Sequence, residues 1–323
     1  IDWQRHAFHL PDNNEFRLRY ALTDLQRAIR RMTDALGEKR GRPFPVAVRV
    51  AATLESCQRI GYDLEAWIAE DLCDVIIGGG NSGTDPCFET EEFLRLVEGT
   101  DIQVYPGFDF DTRQQANRLI PHGQWRDRWF AGMAQGHFAR GAHGIYIFNW
   151  HANSTTRRKS LSTIGSPESL QGLDKAYTSV HRLIGSNPLR KDSERDDRIY
   201  GEVPVELHRT LTGNGLIVHV ATHDAEPASA QLLVEMAHFS PTGDEVAVRL
   251  DDVDLGPPDV RNHAAENPST PSDVDENSWL VWDLDVAQAA PATHRIEVVL
   301  VQRDRRIRPP LEVANVEMWT RCN

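Results

Sequence analysis

Ile1-Asp2-Trp3-Gln4-Arg5-His6, the opening stretch of the chain, reads as the end of a buried strand with a carboxylate at its tip. Four further strand-then-helix units follow, and such alternation implies a parallel sheet with crossover helices. In the barrel version of that architecture, chemistry sits at the C-terminal ends of the strands. Asp2 is therefore a candidate catalytic group. The fold expected is α/β plus all-β: an incomplete (β/α)8 TIM barrel of about five βα units, strands four to eight, followed by an antiparallel β-sandwich.

Moving outward, residues 15–37 form an amphipathic helix, with Leu18, Leu22, Leu25, Ile29, Met32 and Leu36 at three- and four-residue spacing and Gly37 and Gly41 as stop signals. Residues 44–52 are a Val-rich run of the kind that a strand covered on both faces requires. Asp63 caps a helix through Leu64, Trp67 and Ile68. Residues 74–77 form the next strand and run into Gly78-Gly79-Gly80-Asn81, where backbone can approach a ligand. No Lys-Ser/Thr follows, which excludes a phosphate loop. A helix at 89–97, a strand at 101–108, a helix at 124–140, a strand at 144–150 and a closing helix at 166–184 complete the series.

Residues 186–200 are polar and charged and read as a linker. Beyond Val203 the apolar pattern has period two. It predicts seven strands, at 206–211, 216–222, 230–239, 245–250, 278–286, 294–302 and 311–319. The domains expected are thus 1–185, barrel-like, and 201–323, an ancillary β-sandwich.

The formal net charge of −13 argues against nucleic acid as a partner, because phosphate binding needs a basic face. No apolar stretch reaches the roughly 18 residues of a membrane helix. Cys57, Cys73, Cys87 and Cys322 lack CxxC spacing, and the 13 histidines include no HxH or HExxH pattern. Neither a metal nor a cofactor is expected.

The candidate site gathers residues at strand ends. Asp2 suits the role of nucleophile, acid or base in glycoside hydrolysis. Arg5, three residues on, is its nearest cationic partner in sequence; the alternative is a pair that only pins the loop. Asp109 and Asp111 follow the strand ending Tyr105-Pro106-Gly107-Phe108, and one of them can instead cap the next segment. Asn149 can read hydroxyls and Trp150 can stack on a sugar face, although large aromatics mostly serve cores. Arg49 lies within a strand, where a charge must be paired or near solvent, so it is either a ligand contact, in the substrate-binding set with Arg5, or part of an internal ion pair. Asn81 closes the glycine loop. Glu55 reads as a first-turn helix acid rather than a second carboxylate.

The segment Ile1 to His6 resembles the corresponding strand of glycoside hydrolases of the glycosyl-hydrolase-like family 10 kind. So do Gly61-Tyr62-Asp63-Leu64-Glu65-Ala66-Trp67-Ile68 and Gly141-Ala142-His143-Gly144-Ile145-Tyr146-Ile147-Phe148-Asn149-Trp150. The resemblance covers residues 1 to about 185. It implies that Asp2 is the acidic residue of the fourth strand, and that Asp109 holds the seventh-strand position where many barrel glycosidases carry a catalytic carboxylate.

The function expected is hydrolysis of a poly- or oligosaccharide through strand-end carboxylates, with a non-catalytic carbohydrate-binding protein as the alternative. A barrel beginning at its fourth strand would expose two sheet edges. This reading therefore also expects the 323-residue chain alone to be poorly soluble and inactive until roughly 110 upstream residues are restored.

Overall fold

The computed structural model describes residues 1–3, 10–11, 14–51, 53–79, 88–109, 125–148, 155–180, 202–209, 215–262 and 277–322. The chain divides into two compact units. The first comprises Ile1–Ala116, His137–Arg158 and Leu183–Ile199; the second comprises Asn117–Gly136, Lys159–Arg182 and Tyr200–Asn323.

The first unit is built on a parallel sheet of four strands in sequential order: β1 (Ala47–Val50), β2 (Val75–Gly78), β3 (Gln103–Asp109) and β4 (Tyr146–Phe148). Ile1 and Asp2 run alongside β1 through a single parallel bridge, Asp2 to Arg49, with the Arg49 N–H donating to Ile1 O at 2.8 Å. Among the described residues, α1 (Glu15–Arg40), α2 (Leu54–Arg59), α3 (Leu64–Ala69) and α4 (Thr90–Leu96) lie in this unit, while α5 (Trp125–Ala139) and α6 (Thr155–Thr163) each run across the boundary between the two units.

These elements overturn the expectation of five βα units of a TIM barrel. Among the described residues there are four paired parallel strands and six α-helices, and the Ile1 segment contributes a bridge rather than a strand. The closing helix expected over 166–184 does not form in its described part, residues 166–180. Its place is taken by one 3-10 turn, Glu168–Leu170, and by β5 (Lys175–Thr178), which belongs to the second unit and pairs antiparallel with another strand of that unit. The reason is local. Gly172 sits in the left-handed region at φ +71°, which interrupts a helix, and the Tyr177-Thr178 segment beyond it suits a pleated surface.

The apolar face of β1–β3 carries Val48, Val50, Ile76 and Val104, packed with Trp67, Phe93 and Leu22 from the helices. Trp3, Tyr62 and Trp67 form an aromatic trio with ring centroids 5.7–6.3 Å apart, and the Tyr62 hydroxyl donates to Trp3 O at 2.8 Å. Aromatic pairs of this kind contribute about 0.5–1.5 kcal/mol beyond burial. They also tie the first residues of the chain to the α2–α3 region. Asp63 caps α3 through Ala66 N, and Thr53 caps α2 through Ser56 N.

Helix α1 departs from its sequence reading in two respects. It runs through Gly37 to Arg40 and ends at Gly41, whose φ of +69° suits a left-handed cap. Its buried side is also partly polar. Gln26 Nε2 donates to Leu72 O at 2.9 Å and Thr23 Oγ1 accepts from Trp67 Nε1 at 3.1 Å, while Leu25, Met32 and Leu36 face outward.

The second unit has two antiparallel sheets. One has the order β10 (Val253–Asp254), β9 (Glu245–Leu250), β13 (Ala292–Gln302), β7 (Leu216–Thr222). The other runs β11 (Asp259–Arg261), β12 (Ser278–Leu284), β8 (Ser229–Ala237), β14 (Glu312–Arg321), β5, with β6 (Val205–Glu206) also on β14. Both sheets contribute to one apolar core, which includes Val218, Val234, Val248, Leu280, Ile296 and Val316. Period-two alternation marks β7 and β9, whereas β8 is buried on both sides through most of its length.

Candidate active site

The four parallel strands of the first unit deliver their C-terminal ends to one edge of the sheet, the edge at which open α/β sheets bind ligands. Cross-strand register aligns Val50 with Gly78 and Gly78 with Pro106, and Asp109 lies three residues further along β3, opposite Phe148. Glycine is required where the backbones crowd. A Cβ on Gly79 would stand 2.8 Å from Gly107 O, and one on Gly78 would overlap the Phe88 ring. The glycine run therefore serves close packing of β2 against β3 and Phe88.

Asp2 and Arg49 meet at this edge. Arg49 Nη1 donates to Asp2 Oδ1 at 2.9 Å and Oδ2 at 3.0 Å. The Arg49 side chain is 5% exposed and that of Asp2 32%. Arg49 stands on the face of β1 opposite Val48 and Val50, in a cross-strand row with Ile77 and Tyr105. The sequence requirement that a strand arginine be paired is thus met by Asp2. Arg5, the partner first expected for Asp2, lies outside the described residues.

Asp109 closes β3 through its backbone, and its carboxylate lies outside the described part of the structure. Asn81, Asp111, Asn149 and Trp150 also lie outside the described residues, as does Cys87. Glu55 occupies the first turn of α2 and pairs with Arg59 one turn on, at 2.5 Å, as a helix-surface acid does.

A buried polar cluster beside the end of β2 escaped the sequence reading. His137 of α5 is 1% exposed, and its Nδ1 lies 2.7 Å from Arg140 Nη2 and 3.3 Å from Thr90 Oγ1. Arginine only donates, so Nδ1 is the acceptor in this pair. Arg140 Nη1 donates to Phe88 O at 3.0 Å, and Phe88 packs edge-on to His137. The cluster anchors the start of α4 to α5. It has no sequence signature, because its members come from segments almost 50 residues apart.

Cys57 and Cys73 are buried free thiols, and burial pushes the Cys73 thiol up to about 12. Among the described residues no group of three or more His, Cys, Asp or Glu side chains could hold a metal ion, and no helix is long and apolar enough to cross a membrane. A shallow cleft at the opposite end of the strands, beside Phe44 and Asp74, is lined by ion-paired groups such as Arg30 and Asp74, 2.9 Å apart.

No family model matches the chain, and no curated protein matches it. Solved structures match it distantly. The cycloisomaltooligosaccharide glucanotransferase of Paenibacillus sp., in complex with cycloisomaltoheptaose, is 10% identical with a TM-score of 0.20 over 84% of this chain; the chain spans 38% of that enzyme's length. A two-domain esterase active on acetylated mannans is 8% identical with a TM-score of 0.24, covering 91% of this chain and 96% of its own. A β-porphyranase of glycoside hydrolase family 86 from the human gut bacterium Bacteroides plebeius is 8% identical with a TM-score of 0.24, covering 95% and 75%. These neighbours are carbohydrate-processing enzymes, at a level of likeness that carries no argument about this chain's activity. The narrower resemblance to the glycosyl-hydrolase-like family 10 kind finds no support among them.

Proposed function

We propose that this protein is a carbohydrate-active hydrolase that cleaves O-glycosidic bonds in a poly- or oligosaccharide, with Asp2 and Asp109 as the reacting carboxylates. The observation that carries this reading is the placement of Asp2, one-third exposed and oriented by buried Arg49, at the C-terminal edge of a parallel sheet whose β3 ends in Asp109. Glycoside hydrolysis uses two carboxyl groups on opposite sides of the scissile bond, one to protonate the leaving oxygen and one to attack or to activate water. Arg49 positions Asp2. In sequence, Asn81, Asp111, Asn149 and Trp150 follow the ends of β2, β3 and β4, and in this reading, together with Arg5, they bind the sugar.

A second reading is a non-catalytic carbohydrate-binding protein. It is favoured by the contact of one arginine nitrogen with both Asp2 oxygens, which occupies the carboxylate with an ion pair. A panel of polysaccharides separates the two. Reducing-end release that rises with time supports the hydrolase. Retardation in polysaccharide-containing gels without any release supports the binding protein, and neither response removes carbohydrate from the account.

A further inference from the structure

Helix α1 turns an apolar stripe to the outside. Leu25 is 49% exposed and Met32 57%, and Ala21, Ala28 and Ala35 are exposed beside them. On a 3.5-residue period, Leu18, Leu25 and Met32 occupy one seam position of a heptad, and the three alanines occupy the other. One flank of this seam, Leu22 and Ile29, leans into the core of the first unit. The other flank is charged: Arg17, Asp24, Arg31 and Glu38 stand one heptad apart, all exposed, with alternating sign. Asp24 contacts Arg27 on its own helix.

We propose that this face is the interface with a second copy of the chain, α1 pairing antiparallel with α1 about a two-fold axis that crosses the seam midway between Leu25 and Ala28. In that register Leu25 lies against Ala28 of the second copy, Leu18 against Ala35, and Met32 against Ala21. Every layer then sets a large side chain against a small one, which lets two helices approach closely. The same register brings Arg17 opposite Glu38 and Asp24 opposite Arg31. An isologous interface demands a patch that complements itself. The order plus, minus, plus, minus reads minus, plus, minus, plus in reverse, so all four flanking charges meet their opposites. A parallel pairing would set them against the Leu22–Ile29 flank and leave them without opposite charges across the seam. This self-complementarity is what selects a copy of the same chain as the occupant. The seam from Arg17 to Glu38 extends about 32 Å at the helical rise per residue.

Sedimentation equilibrium of the whole chain across micromolar concentrations tests this. The wild type should be a concentration-dependent dimer, and Leu25→Glu a monomer with an unchanged circular dichroism spectrum. Arg31→Glu should raise the dissociation constant by roughly tenfold, because two symmetry-related surface pairs turn repulsive. Adding Asp24→Arg to Arg31→Glu should restore it. A wild type that stays monomeric overturns the proposal. So does a dimer that neither Leu25→Glu nor Arg31→Glu weakens, or an Arg31→Glu defect that Asp24→Arg does not repair.

Discussion

A single guanidinium nitrogen of Arg49 contacts both carboxylate oxygens of Asp2, at 2.9 and 3.0 Å, and the backbones of the same two residues form the bridge that lays the start of the chain against β1. The ion pair is thus an architectural contact as well as part of the candidate site. Breaking a buried pair from one side costs about 3–5 kcal/mol, and less where one partner keeps solvent.

Asp2→Ala should therefore destabilise the first unit by about 1–3 kcal/mol, because it removes a carboxylate partner from the buried Arg49. Combining it with Arg49→Met should recover part of that loss. Urea denaturation followed by tryptophan fluorescence reads the effect; strictly additive losses would show that the pair contributes nothing.

Lys175 is 2% exposed, and its Nζ lies 2.8 Å from Asp224 Oδ1, while Thr320 Oγ1 donates to Asp224 Oδ2 at 2.5 Å. This pair fixes β5 against the rest of the second unit. Lys175→Met should cost about 3–5 kcal/mol, because it removes the cation from a largely buried carboxylate and leaves it the Thr320 hydroxyl. A melting temperature within a degree or so of the wild type, by the size scaling of such shifts, would contradict the assignment.

The Cys73 thiol has its folded value raised to about 12 from an ordinary 9.0, chiefly by burial, and burial likewise raises the Tyr177 phenol from 10.0. Above its ordinary value each group loses its proton in the unfolded chain while the folded chain keeps it. The Cys73 contribution to stability is complete below pH 9 and is lost as pH rises toward 12, and that of Tyr177 begins to be lost only above pH 10. Cys73→Ala should flatten the alkaline limb of the stability–pH curve from its lower end. In the wild type, the thiol should react with an aromatic disulfide reagent only on unfolding. Rapid labelling of Cys73 itself in the folded protein at neutral pH, located by peptide mapping so that the partly exposed Cys322 is told apart, would refute this.

Gly79→Ala should strain the β2–β3 contact, because the new methyl would stand 2.8 Å from Gly107 O. Overpacking of this type costs typically about 1–3 kcal/mol. The loss should appear as a lower urea midpoint at unchanged slope. A neutral substitution would mean that the strands separate freely there.

Much of this architecture is legible in the residues. The Val-rich run ending in Val50, the Asp74–Ile77 segment and the Asp63 cap announce their elements because each is a local signal, and so does the alternation along β7 and β9. A closing helix over 166–184 is suggested by the helical spacing of Leu170, Leu173, Ala176 and Val180, but that spacing is coincidental, and Gly172 and the pairing of β5 with β14 override it. The outward direction of the α1 stripe is not legible in its spacing. Periodicity identifies an apolar face but not what it faces, and Gln26 and Thr23 took the inner side through hydrogen bonds to Leu72 and Trp67. At the site, the need to pair Arg49 was readable, but its partner was not, since the contact spans 47 positions.

The most direct test of the central claim is turnover by Asp2→Asn and Asp109→Asn on a polysaccharide that the wild type cleaves, with folding verified by circular dichroism. Removal of either reacting carboxylate should lower kcat by several orders of magnitude while sugar binding in gels persists. Undiminished kcat in either variant would contradict the assignment of these two residues as the catalytic pair.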